Sequence, residues 1–233
     1  MPRTGKFIVI EGTDGSGKGT HTKLLAQWMI DQDQEIKTFE FPQYGRPSAY
    51  FVEQYLVQRA YGSAEEVSAY KGSLFYALDR FDASAKIREA LQSGMNVLSD
   101  RYVGSNMGHQ GSKLDNAHER AEYFAWNDHL EFDILGIPRP DLNIVLHMPS
   151  TQAQQFVDQK SDRQHLQGKK RDLHEDNINH LRKAEQTYLE LCRAFPMSFT
   201  RIACQADDGS IRSIEDIQAQ IRNLAQPLFS SYY

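Results

Sequence analysis

The sequence has few of the features that mark secreted, metal-stapled or membrane proteins. Only two of its 233 residues are cysteines, Cys192 and Cys204, which is too few for a disulfide framework or a cysteine zinc site. We expect both to be free thiols in a reducing compartment. No apolar run approaches the roughly 18 residues that a membrane span needs. The first residues lead into one short strand-like run rather than a signal-peptide core, so the sequence predicts a cytoplasmic protein.

An excess of positive charge is also missing. The chain has 26 Lys and Arg against 31 Asp and Glu, a net charge of −5. A protein that coats nucleic acid is normally basic, so this balance argues against a nucleic acid polymer as partner. It leaves room for local basic sites that bind small anions. With 24% charged and 40% hydrophobic residues, the composition is typical of a globular chain, and the length fits one α/β domain.

Short apolar runs alternate with helical periodicity along the chain. Five runs predict buried strands, at 7–10, 36–41, 96–99, 142–146 and 198–203. Helices are predicted at 20–29, 63–91, 119–135, from 152, at 175–195 and at 213–228, the last with Ser213 as its N-cap. This alternation predicts a three-layer α/β sandwich, a five-stranded parallel sheet with helices on both faces. One domain covering 1–233 is the simplest organisation, with its ligands beyond the carboxyl ends of the strands.

A glycine-rich loop lies between the first predicted strand and the first predicted helix. In GTDGSGKGT, residues 12–20, the residues Gly12, Gly17 and Lys18 have the spacing of a phosphate-binding loop. Glycines let backbone N–H groups curl around a phosphate, and the helix N-terminus adds a favourable dipole. Lys18 supplies a mobile positive charge for the β and γ phosphates. The loop predicts a nucleoside triphosphate site, with ATP contacts from Gly12, Thr13, Asp14, Gly15, Ser16, Gly17, Lys18, Gly19 and Thr20.

One position departs from the phosphate-loop pattern. The residue after the lysine is usually Ser or Thr, whose hydroxyl binds Mg²⁺, but here it is Gly19. Thr20 stands one place too late for that task. The sequence therefore predicts that Mg²⁺ is contacted at this place through water.

Four further segments indicate which molecule binds in the second half of the site, beside the nucleoside triphosphate. They are FPQYGR at 41–46, FYALDR at 75–80, DRYVGSN at 100–106 with Gln110 and Gly111 beyond it, and KKRD at 169–172 with Glu175 nearby. Together with the phosphate loop, these segments resemble the thymidylate kinases, phosphate-loop enzymes that transfer the γ-phosphoryl group of ATP to dTMP. The resemblance covers nearly the whole chain and keeps the family's motif order. It implies dTMP and ATP as ligands, Mg²⁺ as cofactor and a homodimer.

The resemblance implies how the thymine base is bound. Tyr76 stands four residues before Arg80, where the family places a ring that stacks on thymine. Arg80 matches the arginine that hydrogen-bonds the thymine carbonyl edge. Asn106 and Gln110 fall in the loop that reads the rest of the base, and His109 between them is either a loop histidine or a ribose contact.

The resemblance also implies how the acceptor phosphate is held. Phe41 and Tyr44 match the loop that lines the monophosphate pocket, and Arg46 contacts the phosphate. Arg101 matches the arginine that holds this phosphate, a bidentate task that lysine performs poorly. Asp14 meets the sugar 3′-hydroxyl and orients that arginine.

Transfer of the phosphoryl group needs cations on the transferring phosphate. Some members of the family carry an arginine directly after the loop acid, where this chain has Gly15. Other members supply the arginine from a short lid, which here corresponds to approximately 160–173. Arg163 or Arg171 would reach the phosphates from this lid, and the spacing does not decide between them. Asp100 and Glu175 are the predicted magnesium residues, both acting through water.

Several alternatives stay open at this point. Each site residue also has an ordinary structural explanation, and Phe75 could replace its neighbour Tyr76 as the stacking ring. The run GSGKGT also resembles adenylate kinases, so another nucleoside monophosphate kinase of different or broader base specificity is the first rival. A GTP-dependent switch would need an Asn-Lys-x-Asp motif, which the sequence lacks. A catalytically idle binding protein is the third alternative, although Lys18, Arg101 and Asp14 are all retained.

Overall fold

The structure is a computed structural model that describes residues 5–63, 66–158 and 178–229. Five parallel strands form one sheet in the order β2-β3-β1-β4-β5. They are β1 Phe7–Gly12, β2 Ile36–Glu40, β3 Asn96–Asp100, β4 Leu142–His147 and β5 Phe199–Ala203. The five predicted strands and their parallel arrangement are confirmed.

Helices connect the strands. Within the described ranges they are α1 Lys18–Asp31, α2 Tyr50–Leu56, α3 Ala69–Gln92, α4 Val103–Ser105, α5 Ala117–Asp128, α6 Ser150–Asp158, α7 Ile178–Ala194 and α8 Ile214–Ala225. Two π-helical turns, Asn106–Gln110 and His129–Ile134, follow α4 and α5. Such wide turns are rare and often occur at functional sites.

The sheet is the middle layer of three. Successive side chains of a strand point to opposite faces, so β1 contributes to two cores. Phe7 and Val9 pack in the buried cluster that contains residues of α3, α5 and α7. Ile8 and Ile10 pack in the cluster that contains residues of α1 and α8. The sandwich expected from the sequence is therefore present, with β1 and its following loop at the centre.

Two helix boundaries differ clearly from the sequence predictions. The helix predicted at 63–91 begins at Ala69 because the Oγ of Ser68 caps it, accepting from Lys71 N at 3.3 Å. The α-helix predicted at 119–135 ends at Asp128, and a π-helical turn completes that segment. The predicted N-cap Ser213 is confirmed, accepting from Asp216 N at 3.0 Å. Of the helix predicted at 175–195, residues 175–177 lie outside the described ranges.

Helix α2 was not predicted from the sequence. It has only seven residues, too few for a stable helix in isolation. Its stability comes from tertiary packing, because Val52, Tyr55 and Leu56 form a buried cluster with Val57 and Val67.

Both cysteines are free thiols, as predicted. Burial raises the pKa of Cys192 and of Cys204 to about 11. Among the helices of the described ranges, none combines the length and the apolar character that crossing a membrane requires.

Candidate active site

A cavity of about 380 Å³ lies beyond the carboxyl ends of β1, β2 and β3. This is the edge at which ligands bind in open parallel sheets. The predicted site residues that line it are Asp14, Gly15, Gly17, Lys18, Gly19, Thr20, Phe41, Tyr44, Tyr76, Arg80, Asp100, Arg101, Asn106 and Gln110. Gly12, Thr13, Ser16 and the exposed Arg46 do not line it. Arg163, Arg171, Glu175 and the predicted lid at 160–173 lie outside the described residues.

In the loop between β1 and α1, the side chain of Lys18 contacts the backbone of the loop itself. Lys18 Nζ donates to the carbonyl oxygen of Thr13 at 2.7 Å, which folds the lysine side chain back over the loop. Gly17 stands at the N-cap of α1 with φ 87° and offers no side-chain acceptor to the first turn. The backbone N–H groups that begin α1 are therefore not capped by this residue, which suits a helix N-terminus that receives an anion.

Gly15 is held closely by the neighbouring helix α6. It has φ +83°, and a Cβ built on it would lie 2.0 Å from the carbonyl oxygen of Ala153. No side chain fits there unless the backbone of α6 moves. The position at which the family resemblance allows an arginine is thus closed to any side chain in this chain.

This contact gives a first test. We expect Gly15→Ala to lower the free energy of unfolding by more than about 2 kcal/mol, because the left-handed backbone alone costs an L-residue about 1–2 kcal/mol and the clash with Ala153 adds to it. Gly136 also has a positive φ, +63°, but a methyl group added there would meet nothing within 4 Å, so Gly136→Ala is the matched control. Urea unfolding of both variants measures the difference, and equal losses would contradict the close approach of α6.

Arg101 and Asp14 form an ion pair at the mouth of the phosphate loop. Arg101 Nη2 donates to Asp14 Oδ1, and their side chains are 15% and 18% exposed. Burial lowers the pKa of the Arg101 guanidinium, but the charges of Asp14 and the other acidic groups nearby together outweigh burial, and the pKa is raised. Arg101 has φ 68°, a left-handed conformation that is uncommon for non-glycine residues and clusters at functional sites. The predicted partnership of these two residues is therefore present in the geometry.

Glu11 fixes the turn that carries Arg101, and sequence reasoning missed it. Its carboxylate is fully buried and accepts from Tyr102 N at 2.8 Å, Ser105 N at 3.1 Å and Ser105 Oγ at 2.6 Å. Burial raises the pKa of Glu11, which Ser105 and Arg101 oppose. A lone acid inside the apolar β1 run, directly before the loop, is the sequence signal that could have found it.

Arg80 is bound to a second missed acid. Glu131, from the π-helical turn after α5, accepts from Arg80 Nε at 2.5 Å and from Arg80 Nη2 at 2.7 Å. The two side chains are 2% and 0% exposed. Burial lowers the pKa of Arg80, but the charge and hydrogen bonds of Glu131, with smaller contributions from other groups nearby, together outweigh burial and raise the pKa. Arg80 Nη1 also donates to the Tyr102 carbonyl at 3.3 Å, which ties α3 to the turn after β3.

The same acid orients Asn106. Asn106 Nδ2 donates to Glu131 Oε1 at 3.0 Å and to the Ser73 carbonyl at 3.1 Å. Gln110 lies one π-helical turn further on, and its buried Oε1 has no hydrogen-bond partner among the described residues. Arg80, Asn106 and Gln110 thus bring amide and guanidinium groups to one wall of the cavity.

Two adjacent aromatic residues of α3 face different surroundings. Tyr76 lines the cavity, together with Phe41 and Tyr44 from the loop after β2. Phe75 does not line it and instead stacks on Phe51 of α2, with ring centroids 6.0 Å apart. Of the two candidates left open by the sequence, the geometry favours Tyr76 as the ring available to a base.

The loop after β2 is anchored by a third missed acid. Asp79 is 1% exposed, and its carboxylate accepts from Gln43 N at 2.8 Å and from Ser48 Oγ at 2.6 Å. Its position beside Arg80 in the FYALDR segment was the available signal. Because Asp79 lies on α3, the same helix positions the loop that carries Phe41 and the residues that line the cavity.

Asp100 is a carboxylate of the cavity that lies beside the phosphate loop and suits a magnesium ion. Asp100 ends β3 and lines the cavity, and its Oδ2 would lie 3.3 Å from a Cβ at Gly19. The place where a Ser or Thr side chain would lie is thus next to a carboxylate oxygen of Asp100. Carboxylate oxygens are ligands that Mg²⁺ prefers. The described residues hold no cluster of three or more metal ligands. Mg²⁺ usually takes one or two carboxylates and completes its shell with phosphates and water.

Fold and site together define a phosphate-loop α/β protein whose loop lines one cavity with aromatic and polar side chains. The family model for thymidylate kinase matches residues 10–221. A thymidylate kinase of Clavibacter michiganensis is 30% identical over 231 residues, which are 98% of each chain. A thymidylate kinase of Mycobacterium tuberculosis is 30% identical over 186 residues, 79% of this chain and 85% of its own. The chain belongs to the thymidylate kinase family.

A solved structure agrees on the fold. The thymidylate kinase of Candida albicans superposes with a TM-score of 0.65 and 21% sequence identity, over 96% of this chain and 92% of the other. At this identity the likeness concerns the fold, and the fold matches the phosphate-loop sandwich expected from the sequence.

Proposed function

We propose that this protein transfers the γ-phosphoryl group of ATP to dTMP, giving dTDP and ADP. One observation carries the proposal: in a chain of the thymidylate kinase family, the phosphate loop, Arg101 and the aromatic ring of Tyr76 line one cavity. The reaction supplies the diphosphate from which dTTP is made. It needs little covalent chemistry from the protein, so positioning and charge stabilisation carry the catalysis.

The phosphate groups are held by the loop and by one arginine. Lys18 lies over the loop within reach of the β and γ phosphates of ATP. Arg101 binds the dTMP phosphate, and Asp14 holds the guanidinium in place and meets the sugar 3′-hydroxyl. Arg163 or Arg171 completes the cationic surroundings from the proposed lid at 160–173. Closing such a lid also excludes water, which strengthens each charge interaction.

The base is held between an aromatic ring and a polar wall. Tyr76 stacks on thymine, which adds affinity for any base. Arg80 hydrogen-bonds the thymine carbonyl edge while Glu131 keeps it in place. Asn106 and Gln110 read the remaining polar atoms of the base. Arg46, which is exposed and does not line the cavity, stays a prediction for the acceptor phosphate.

We also propose that the protein uses Mg²⁺, with Asp100 as its carboxylate and Glu175 assisting through water. Mg²⁺ neutralises charge on the nucleotide phosphates. Asp100 faces Gly19, so the ion would be held by this carboxylate, by phosphate oxygens and by water. We further propose one kinase domain over 1–233 and a cytoplasmic location, the latter supported by the two free cysteines.

The proposed reaction is tested by identifying its products. Phosphorus NMR of a mixture of protein, ATP, Mg²⁺ and dTMP should show the two phosphate signals of dTDP growing in step with those of ADP. Release of inorganic phosphate without dTDP would mean that ATP is hydrolysed and not used to phosphorylate dTMP. No ADP at all, from folded protein in excess dTMP, would favour the idle binding protein.

The rival kinase with another base preference has no support from the comparisons. The relatives from Clavibacter and Mycobacterium are both named thymidylate kinases. The wall formed by Arg80, Asn106 and Gln110 carries donors and acceptors of the kind that read a pyrimidine edge.

We propose a homodimer that pairs through α3. Leu74, Leu78 and Phe81 are 43%, 47% and 48% exposed and follow the i, i+4, i+7 spacing of one helix face. Such a face normally packs against a core. Phe51 of α2 is 45% exposed. A second copy of the same chain would cover this face, in keeping with the homodimer that the family resemblance implies.

The dimer proposal predicts a change of mass. We expect Leu78→Glu to convert a particle of twice the chain mass into a monomer, because a buried charge would face the partner chain without a counter-charge. Met197 is 96% exposed in the turn before β5, so Met197→Glu is the matched control and should stay dimeric. Light scattering after gel filtration measures both. A monomeric unmodified protein at micromolar concentration would contradict the proposal.

A further inference from the structure

Arg101 has three polar neighbours in addition to its ion-pair partner Asp14. Its Nη1 lies 3.2 Å from the Gly12 carbonyl oxygen, 3.3 Å from Ser105 Oγ and 3.2 Å from His109 Nε2. A guanidinium group has donors only. His109 Nε2 must therefore carry a lone pair and accept a hydrogen bond from Arg101.

This contact fixes the tautomer of two buried histidines. If Nε2 of His109 is the acceptor, its proton is on Nδ1, which lies 3.5 Å from His180 Nε2. His180 Nε2 is then an acceptor too, and its proton is on its own Nδ1. The two rings are nearly parallel, at 21° with centroids 5.7 Å apart, and Tyr188 meets His109 edge-on. Both histidines are 7% exposed.

The surroundings keep His109 neutral. Burial lowers the pKa of His109 well below its ordinary value, and the positive charge of Arg101 lowers it further. Asp14 opposes this, while His180 and Lys18 add to it. Among the described residues, the titratable groups that act on the ring thus come from the phosphate loop, the turn after β3 and helix α7. A neutral ring beside a permanent cation is the state in which His109 can accept.

We propose that His109 is a positioning residue for Arg101. By accepting one Nη1 hydrogen from the side of α7, it sets the rotation of the guanidinium plane, while Gly12 and Ser105 hold the same nitrogen from other directions. Because Arg101 lines the cavity, the N–H groups that remain are available to the phosphate of a nucleoside monophosphate bound there. That last step rests on the proposed function, whereas the tautomer does not.

The tautomer is tested without any substrate. In ¹⁵N-detected NMR of the imidazole rings, we expect His109 to show the Nδ1–H tautomer and no titration between about pH 5.5 and 8. The exposed His118, whose side chain is 85% exposed, is the reference: His118→Gln removes its signal and leaves that of His109 unchanged. A charged ring at neutral pH, or a proton on Nε2, would overturn the inference whatever the enzyme does.

Steady-state kinetics test the consequence for the substrate. His109→Phe keeps a ring but removes the acceptor, and we expect it to raise KM for dTMP about tenfold with KM for ATP unchanged. His109→Gln returns an acceptor oxygen near the Nε2 position and should recover most of the loss, with melting temperatures confirming folded protein. Unchanged KM in the Phe variant, or equal defects in both variants, would overturn the positioning role. If the unmodified protein phosphorylates no dTMP, the proposed function fails, and NMR alone then decides the tautomer.

Discussion

We expect Lys18→Ala to lower kcat by about 10³-fold while the protein stays folded. Removing one preorganised positive group from a phosphoryl-transfer site costs roughly this much, because the charge stabilises the transition state more than the bound substrate. The fold should tolerate the change, since the Lys18 side chain folds back over its own loop onto the Thr13 carbonyl and packs in neither large core cluster. Steady-state ADP release and thermal unfolding measure the two effects separately.

A second lysine variant controls for lost charge alone. Lys86 is exposed on α3 and does not line the cavity, so Lys86→Ala should keep the kcat of the unmodified protein. If Lys18→Ala retained more than about a tenth of the activity, which is a loss of under about 1.4 kcal/mol, the phosphate loop would not be the site of ATP chemistry. A Lys18→Ala protein without a cooperative unfolding transition would instead show that the lysine is structural.

The second large effect concerns the buried pair of Arg80 and Glu131. We expect Glu131→Gln to lower the free energy of unfolding by about 3 kcal/mol, because it leaves the Arg80 charge buried without its counter-charge. The amide also turns an N–H group toward an arginine that can only donate. Urea unfolding without nucleotide measures this loss independently of substrate binding.

The chain offers a matched pair for comparison. Arg120 and Glu190 form the same forked contact, with distances of 2.6 and 2.8 Å, but their side chains are 15% and 34% exposed. Glu190→Gln should therefore cost only about 0–1 kcal/mol. If both substitutions cost the same, burial would not be what makes the Arg80 pair important.

The Glu131 variant also bears on base recognition. Glu131 holds both Arg80 and Asn106, so its substitution should raise KM for dTMP along with the loss of stability. Arg80→Ala should raise the same constant and weaken discrimination between bases. Unchanged discrimination in Arg80→Ala would remove Arg80 from the base-reading wall.

The sheet and the phosphate loop could be predicted from the sequence because their signals are local. A strand buried on both faces is a continuous apolar run, as at 7–10, and a phosphate loop is defined by glycines and a lysine at fixed spacing. Asp100 and Arg101 could be placed because they directly follow a predicted strand. Each of these predictions depends only on residues that are adjacent in the sequence.

The acids that support the site could not be predicted in this way. Glu131 meets Arg80 across 51 residues, and only the π-helical turn after α5 brings its carboxylate to α3. In the sequence, Glu11 directly follows a predicted strand. Its role depends on hydrogen bonds from Tyr102 and Ser105, which only the fold brings near it. Helix α2 is too short for its periodicity to stand out, and tertiary packing decides its conformation.

We propose that dTMP is the molecule that accepts the phosphoryl group of ATP. The most direct test is kcat/KM for dTMP, dUMP, dGMP and AMP, measured under the same conditions with ATP and Mg²⁺ by coupled ADP release. We expect the highest kcat/KM for dTMP, with the purine nucleotides far below it, because the cavity is lined by Tyr76, Arg80 and Asn106. A preference for AMP would contradict it.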